Sequence, residues 1–424
     1  MRGGDTIVAL SSGAVPSGVA VVRISGPRAR ELVEGLAGAM PNPRYLSLRE
    51  LRWGGELIDR GLIAWFPGPN SFTGEDCAEL QMHGSRAVIG ALLGMLSSQP
   101  GVRLAEAGEF TRRAFENGKL DLTAVEGLGD LIEAETESQR RQALARLDGN
   151  LSTRIENWRL KLLDLQAEIA AQLDFADEGD VGELSGNFAT ELAALKADME
   201  RAAASFAQGR RVREGFRVAL AGPPNVGKSS LLNALSQTDA AIVSDEPGTT
   251  RDVKEVALEL GGQLVVLVDM AGLRDTESRA EAEGVRRARR QIEAADLVLW
   301  LTAPDVSATE KPAANCPVWE IATKADLGGG DISVRTGYGI DELLGRLKVA
   351  AADGVGGEPA VVSRERDVVA LRMAVAELEG IDLDRLELAA ESLRAAGHVL
   401  ARLVGKVDAE MVLDRLFSAF CIGK

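Results

Sequence analysis

The chain has 424 residues and carries 64 acidic against 48 basic side chains, a formal charge of −16, with 46% hydrophobic and 26% charged residues. That balance excludes wholesale disorder and disfavours indiscriminate nucleic-acid binding, which needs positive potential; the length suggests about three domains. No apolar run reaches the roughly 20 residues of a membrane span, and Met1 to Arg23 is interrupted by Asp5, Pro16 and glycines, unlike a signal peptide. Cys77, Cys316 and Cys421, with His83 and His398, are too few and scattered for a disulfide framework or a zinc site, which predicts a reduced, cytoplasmic setting.

In chain order, Ile7–Leu10, Val19–Ile24 and Gly61–Phe66 read as short strands ended by Gly, Ser or Pro, and Ser85–Leu96 as a helix. This first stretch is a mixed α and β domain to about Phe115. From Asp121 the texture turns helical, with Leu160, Leu163, Leu165, Ile169 and Leu173 at helical spacing, a break at Phe175–Asp180 and a second helix from Phe188. The same texture returns from Ser363 to Phe420. Between the helical blocks, strands and helices alternate from about Gly215 to Gly357, as expected for an α/β unit inserted into a helical one.

The strand pattern Arg217–Ala221 runs into Gly222-Pro223-Pro224-Asn225-Val226-Gly227-Lys228-Ser229 and then the helix former Ser230–Leu235. This is Gly-x-x-x-x-Gly-Lys-Ser in its strand–loop–helix setting: backbone N–H groups and a helix N-terminus face the phosphates, Lys228 neutralises β- and γ-phosphates, and Ser229 ligates Mg²⁺. A chance glycine-rich turn has little weight against that context. Four further segments follow in the order a GTPase requires. Asp245-Glu246-Pro247-Gly248-Thr249-Thr250 is a switch loop in which Thr250 completes the Mg²⁺ shell. The strand Leu264–Val268 delivers Asp269-Met270-Ala271-Gly272, with Asp269 toward Mg²⁺ through water and the Gly272 N–H toward the γ-phosphate. Thr323-Lys324-Ala325-Asp326 places a carboxylate for guanine N1–H and its 2-amino group, donors that adenine lacks. Ser333-Val334-Arg335 closes the base pocket.

Two positions depart from the usual motifs: Thr323 stands where Asn is usual, which could loosen the link to the phosphate loop, and Met270 stands where Thr is usual. Leu273 occupies the position of the water-orienting Gln of Ras-like enzymes and cannot do that work. Asp275, Glu277, Glu281 and Glu283 are the candidates downstream, and spacing does not choose among them. Asn225 could help hold a monovalent cation beside the phosphates, although an Asn there is more often merely tolerated.

Taken together with Asp5-Thr6-Ile7-Val8-Ala9, Phe66-Pro67-Gly68-Pro69-Asn70-Ser71-Phe72-Thr73-Gly74-Glu75-Asp76, Gly108-Glu109-Phe110-Thr111-Arg112-Arg113, Gly248-Thr249-Thr250-Arg251-Asp252 and the tail Phe420-Cys421-Ile422-Gly423-Lys424, the chain resembles the MnmE (TrmE) family of tRNA-modification GTPases over essentially its full length. The resemblance implies an N-terminal α+β folate-binding and dimerisation domain (1–117), a central helical bundle (118–212 and 362–424) and an inserted Ras-like P-loop G domain with a mostly parallel sheet (213–361). It implies GTP contacts from Asn225 through Ser230, including Val226, Gly227, Lys228 and Ser229; from Ser244 through Thr250; from Asp269, Met270, Ala271 and Gly272; and from Thr323, Lys324, Asp326, Ser333, Val334 and Arg335. It further implies K⁺ held by Asn225, Ser244, Glu246 and Thr249, and Glu281 as the water-orienting residue beside the catalytic Lys228 and Asn225. Arg23, Glu79, Lys119 and Lys424 are implied to bind 5-formyltetrahydrofolate or a related tetrahydrofolate, and Cys421 to matter for tRNA modification. The implied activity adds a carboxymethylaminomethyl or aminomethyl group at C5 of the wobble uridine of certain tRNAs. The implied partner is an FAD-containing protein (MnmG), with the chain as a homodimer within a heterotetramer and no membrane.

The tail Cys421-Ile422-Gly423-Lys424 has the outline of a prenylation box, but Gly423 and Lys424 fit it poorly. Arg140-Arg141, Arg210-Arg211 with Arg213, and Arg286-Arg287 with Arg289-Arg290 could meet tRNA phosphates; exposed helix faces balanced by acids are preferred for each singly. His83 and His398 are expected to serve structure, and Cys77 and Cys316 packing or surface. The competing reading is a regulatory or ribosome-assembly GTPase switch, against which the folate-like residues and the Cys421 tail speak.

Overall fold

A computed structural model of the chain describes residues 4–174, 184–242, 255–270, 291–307, 310–311, 313–353, 355, 359–407, 416–417, 420 and 422–423. The chain forms two compact units, one of residues 1–129 and 401–424 and the other of residues 130–400.

The first unit is built on β1 (Thr6–Leu10), β2 (Ser17–Ser25), α1 (Ala29–Ala37), β3 (Ser47–Trp53), β4 (Glu56–Phe66), β5 (Cys77–Gly84), α2 (Arg86–Ser97), β6 (Val102–Leu104) and α3 (Glu109–Glu116), and α4 (Leu122–Ile132) leads out of it. Its six strands lie in the order β3-β4-β5-β2-β1-β6. β1 and β6 pair in parallel and the other neighbours are antiparallel. Strand alternation decides which face is core: Ala20, Val22 and Ile24 of β2 join Ala78 and Leu80 of β5 beneath α1 and α2. Arg23 and Ser25 point the other way, where Ile7, Ala9 and Ala105 pack on Phe110 of α3. The helix expected from Ser85 begins one residue later, because the Ser85 side chain caps it by accepting from the Ala87 N–H. Near the chain end, Ile422 bridges Ala107; Cys421 and Lys424 lie outside the described residues.

The second unit continues with α5 (Glu137–Leu147), α6 (Asn150–Asp174), α7 (Phe188–Ala204), α8 (Phe206–Glu214), β7 (Phe216–Ala221), α9 (Lys228–Leu235), β8 (Glu255–Leu260), β9 (Gln263–Asp269), β10 (Leu297–Thr302), β11 (Val318–Ala322), α10 (Ile340–Ala352), α11 (Glu365–Glu379) and α12 (Leu386–Leu403). Its sheet runs β11-β10-β7-β9-β8, parallel except for the edge strand β8. Strands covered on both faces need continuous apolar sequence, and every residue of β9 is buried. In α6 the buried stripe is Leu151, Ile155, Trp158, Leu162, Leu165 and Ile169. Leu160 and Leu163, read as part of the apolar face, are about half exposed. The helix carries two leucine stripes that both satisfy a 3.6-residue repeat, and only packing selects one.

The two chain passages that flank the α/β block run side by side. A Cβ on Gly209 would lie 2.2 Å from the Val362 carbonyl oxygen, so glycine is needed for the approach. Gln142 of α5 donates to both passages, at 3.0 Å to Gly209 O and 2.7 Å to Ala360 O. Asp130 accepts from Arg213 at 3.1 Å and Arg364 at 2.7 Å. One turn along α5, Arg146 and Asp367 form a fully buried ion pair at 2.7 Å.

Candidate nucleotide and ligand sites

β7 ends at Ala221 and the chain turns into the phosphate loop with Gly222 at φ +146°, where an added Cβ would lie 2.5 Å from Leu301 O. Asn225 also takes a left-handed conformation, at φ 62°. Gly227 caps α9, whose first residue is Lys228, so the amides of the first turn open onto the loop as an anion cradle. Lys228 is 7% exposed, and its ammonium donates to the carbonyls of Gly222 and Pro223 at 2.8 Å each. Those bonds hold the cation across the loop mouth.

Parallel pairing of β7 with β9 brings Asp269 to the same edge. The Ser229 hydroxyl donates to Asp269 Oδ2 at 2.8 Å. A hydroxyl and a buried carboxylate sharing one point are hard oxygen donors of the kind Mg²⁺ takes, so the residues present fit that ion. Met270 turns beneath the sheet and packs with Ala219, Ala221, Val298 and Trp300.

The base side is assembled by the C-terminal ends of β10 and β11. Thr323 is buried, and its hydroxyl lies 2.6 Å from Val226 O and 3.0 Å from Thr302 O. The shorter Thr323 side chain joins the base loop to the phosphate loop. Asp326 accepts from Ser333 Oγ at 2.7 Å, and the exposed Arg335 guanidinium stands 3.9 Å from its other oxygen. Val334 packs against the core of the block. Lys324, at φ 58°, is held by Asp305 at 2.6 Å; the hydrogen bond from Lys324 holds the Asp305 carboxyl below its ordinary value. Asp305 was missed in the sequence, where its only signal is a carboxylate just past the carboxyl end of a parallel strand, the usual place for binding groups. Ser244, Asp245, Glu246, Pro247, Gly248, Thr249, Thr250, Ala271, Gly272 and Glu281, with the alternatives Asp275, Glu277 and Glu283, lie outside the described residues.

In the first unit, β2 and β5 pair Arg23 with Glu79. Arg23 Nε and Nη2 both donate to Glu79 Oε1, at 3.1 and 2.8 Å. The loop after β4 brings Phe72 over Arg23, and the exposed Lys119 approaches the same loop: its Cε lies 3.3 Å from where a Gly74 Cβ would stand. Two cations and a carboxylate thus border one loop, a donor set that fits a ligand with carboxylates and ring N–H groups. Beside them, Ser25, Thr73 and the buried Cys77 thiol form a cluster with contacts of 2.7 to 3.2 Å, tied through Glu75 to Arg113 at 2.9 Å. Among the described residues no group of three metal-ligating side chains is found and no helix is long and apolar enough to cross a membrane.

Among the described residues, arginines of the first two clusters pair with acids. Arg140 pairs with Glu137 at 2.7 Å. Arg210 and Arg211 converge on the buried Asp296 and Arg213 on Asp130, acids remote in sequence, and Arg210 and Arg213 also pair with Glu214 on their own helix. Arg286, Arg287, Arg289 and Arg290 lie outside the described residues. The His83 ring is exposed and bonded to Asp59 at 2.8 Å, and His398 is exposed on α12. Cys316 packs beside Trp300, and burial, helped by Asp296, pushes its thiol up.

The family described as MnmE helical domain matches residues 122–421, and the GTP-binding protein TrmE N-terminus matches residues 6–119. The tRNA modification GTPase MnmE of Azorhizobium caulinodans is 53% identical over 441 residues, covering 100% of both chains. That of Brucella canis is 50% identical over 437 residues, covering 99% of this chain and 98% of the relative. With both family matches and near-complete coverage of these relatives, the chain belongs to the MnmE (TrmE) family of tRNA modification GTPases.

Proposed function

We propose that this GTP hydrolase, acting in tRNA modification, works on the wobble uridine of certain tRNAs together with an FAD-containing partner protein. On this reading the pair adds a carboxymethylaminomethyl or aminomethyl group at C5, with a tetrahydrofolate supplying the one-carbon unit. The observation that carries the nucleotide part is the meeting of Ser229 and Asp269 at 2.8 Å at the mouth of the phosphate loop. Lys228 neutralises the β- and γ-phosphates, the amides from Asn225 to Ser230 cradle them, and Asp326 with Ser333 selects guanine. Ser229 and Thr250 would hold Mg²⁺, with Asp269 reaching it through water, and the ion would supply charge neutralisation on the phosphates. Asn225, with Ser244, Glu246 and Thr249, would hold K⁺ beside the same phosphates, and Glu281 would orient the attacking water. Arg23, Glu79, Lys119 and Lys424 would bind the folate, and Cys421 would serve the modification. The domain limits proposed are 1–117, 118–212 with 362–424, and 213–361, in a cytoplasmic homodimer that joins its partner as a heterotetramer.

One rate series tests this. Hydrolysis by the purified chain should be much faster in K⁺ than in Na⁺, and Glu281→Ala should keep GTP binding while losing turnover. Equal rates in the two salts remove the cation role of Asn225, and retained turnover returns the water-orienting role to another acid. In a deletion strain, wobble uridine retaining its modification would refute the tRNA reading.

A further inference from the structure

β8 and β9 form a hairpin whose turn is two glycines, Gly261 at φ 65° and Gly262 at φ 85°, the left-handed pair that a tight two-residue turn requires. At its open end, β9 finishes on Asp269, which holds the Ser229 hydroxyl at 2.8 Å, and β8 starts at Glu255, shortly after the Gly248-Thr249-Thr250 motif in sequence. Its closed end reaches α5. The Gly262 carbonyl accepts the Ser138 N–H at 3.0 Å, and the Gln263 side-chain amide donates to Ser138 Oγ at 2.6 Å. Ser138 is the second residue of α5, so its N–H is one of those that a helix start leaves without an intrahelical partner. Thr136 caps the next one, the Gln139 N–H, at 3.4 Å, and the turn of a distant hairpin caps Ser138. The contact is confined: Gln263 is buried, and Lys348 of α10 backs the turn so closely that it leaves no room for a Cβ on Gly261.

β9 thus touches the phosphate loop at one end and α5 at the other. It is buried throughout and hydrogen-bonded to β7 on one side and β8 on the other, so a shift at one end is transmitted rather than absorbed. Its 7 residues span roughly 20 Å. α5 extends the path through Gln142, bonded to both chain passages at Gly209 and Ala360, and through Arg146, paired with Asp367 of α11. We infer that Ser138 and Gln263 form a coupling joint: nucleotide binding beside Ser229 and Asp269 moves the far end of β9, and α5 reads the movement in the cap on its first turn. The two states differ in two hydrogen bonds, which weaken steeply with distance and angle. The inference rests on the nucleotide reading of the phosphate loop and adds to it the place where the helices sense that loop.

The test is hydrogen exchange of the full chain in GDP and in a non-hydrolysable GTP analogue, read by mass spectrometry over the first turn of α5. It compares wild type with Gln263→Leu, Ser138→Ala and Ser138→Thr. Labelled GDP is titrated into each protein first, so failure of the nucleotide reading shows there and failure of the joint shows only in the exchange. Loss of one neutral hydrogen bond changes local protection by about 2- to 12-fold. The wild type is expected to differ by that much between the two nucleotides. Gln263→Leu and Ser138→Ala are expected to bind nucleotide as wild type does and to lose most of the difference, and Ser138→Thr, which keeps the hydroxyl, to retain it. Identical wild-type exchange in the two nucleotides reduces the contact to a structural one and overturns the joint. A full nucleotide-dependent difference in Gln263→Leu or Ser138→Ala overturns it as well.

Discussion

Replacing Thr323 by Val keeps the volume of the side chain and removes one hydroxyl. That hydroxyl is the buried tie between the loop after β11 and the phosphate loop, 2.6 Å from Val226 O, with Thr302 O at 3.0 Å as its second acceptor. A neutral hydrogen bond contributes roughly 0.5–1.5 kcal/mol net. If the tie serves to hold base pocket and phosphate cradle in register, its loss appears in nucleotide affinity as a weakening of about 2- to 12-fold, since about 1.4 kcal/mol is a factor of ten. Thr323→Ser keeps the hydroxyl and should bind near wild type. The assay is fluorescence titration with labelled GDP and GTP, with a thermal melt of each variant beside it. Both nucleotides should weaken together, because the tie touches neither the γ-phosphate nor the base edge. Unchanged affinity in Thr323→Val, or equal losses in the Ser and Val variants, would refute the reasoning.

Asp326→Asn should weaken guanine nucleotides by about 10- to 100-fold, the value of charge-assisted hydrogen bonds, and improve xanthine nucleotides, whose 2-oxo group accepts from the new amide; unaltered selectivity in competition binding contradicts the pocket. Asp367→Ala leaves the Arg146 guanidinium buried without its carboxylate, which costs about 3–5 kcal/mol, so the urea midpoint should fall; an unchanged midpoint removes the stabilising role of the buried ion pair, and pairing Arg146→Met with Asp367→Leu should recover much of the loss. Burial opposes ionisation of Asp198, but hydrogen bonds from Arg154 and the Trp158 indole outweigh it and bring the carboxyl from its ordinary 3.8 down to about 2. A depressed folded-state value gives stability that is complete above 3.8 and is lost as the pH falls toward 2. The α6–α7 contact should therefore loosen in that window, followed by Trp158 fluorescence, and Asp198→Asn should abolish that pH dependence; a transition confined to higher pH sinks the assignment.

The chemistry of the nucleotide site was legible from residue order alone. A phosphate cradle needs small residues and a lysine at fixed spacing, because consecutive backbone amides must face one anion, so Gly222 to Ser229 announces itself locally. The same holds for β9, whose unbroken apolar run reports burial on both faces. Strands such as β3, β5 and β8 left weaker traces, since their burial alternates or is partial and the pattern is diluted by polar residues. Tertiary structure alone decided which stripe of α6 is inside, because Leu160 and Leu162 fit the same period and differ only in what packs against them. It alone showed that Thr323 reaches Val226, 97 residues away in sequence, and that Arg210 and Arg211 are spent on Asp296 rather than left for phosphates. Local geometry is encoded in neighbours along the chain, whereas the partner of a side chain is set by which distant backbone the fold brings within about 3 Å of it.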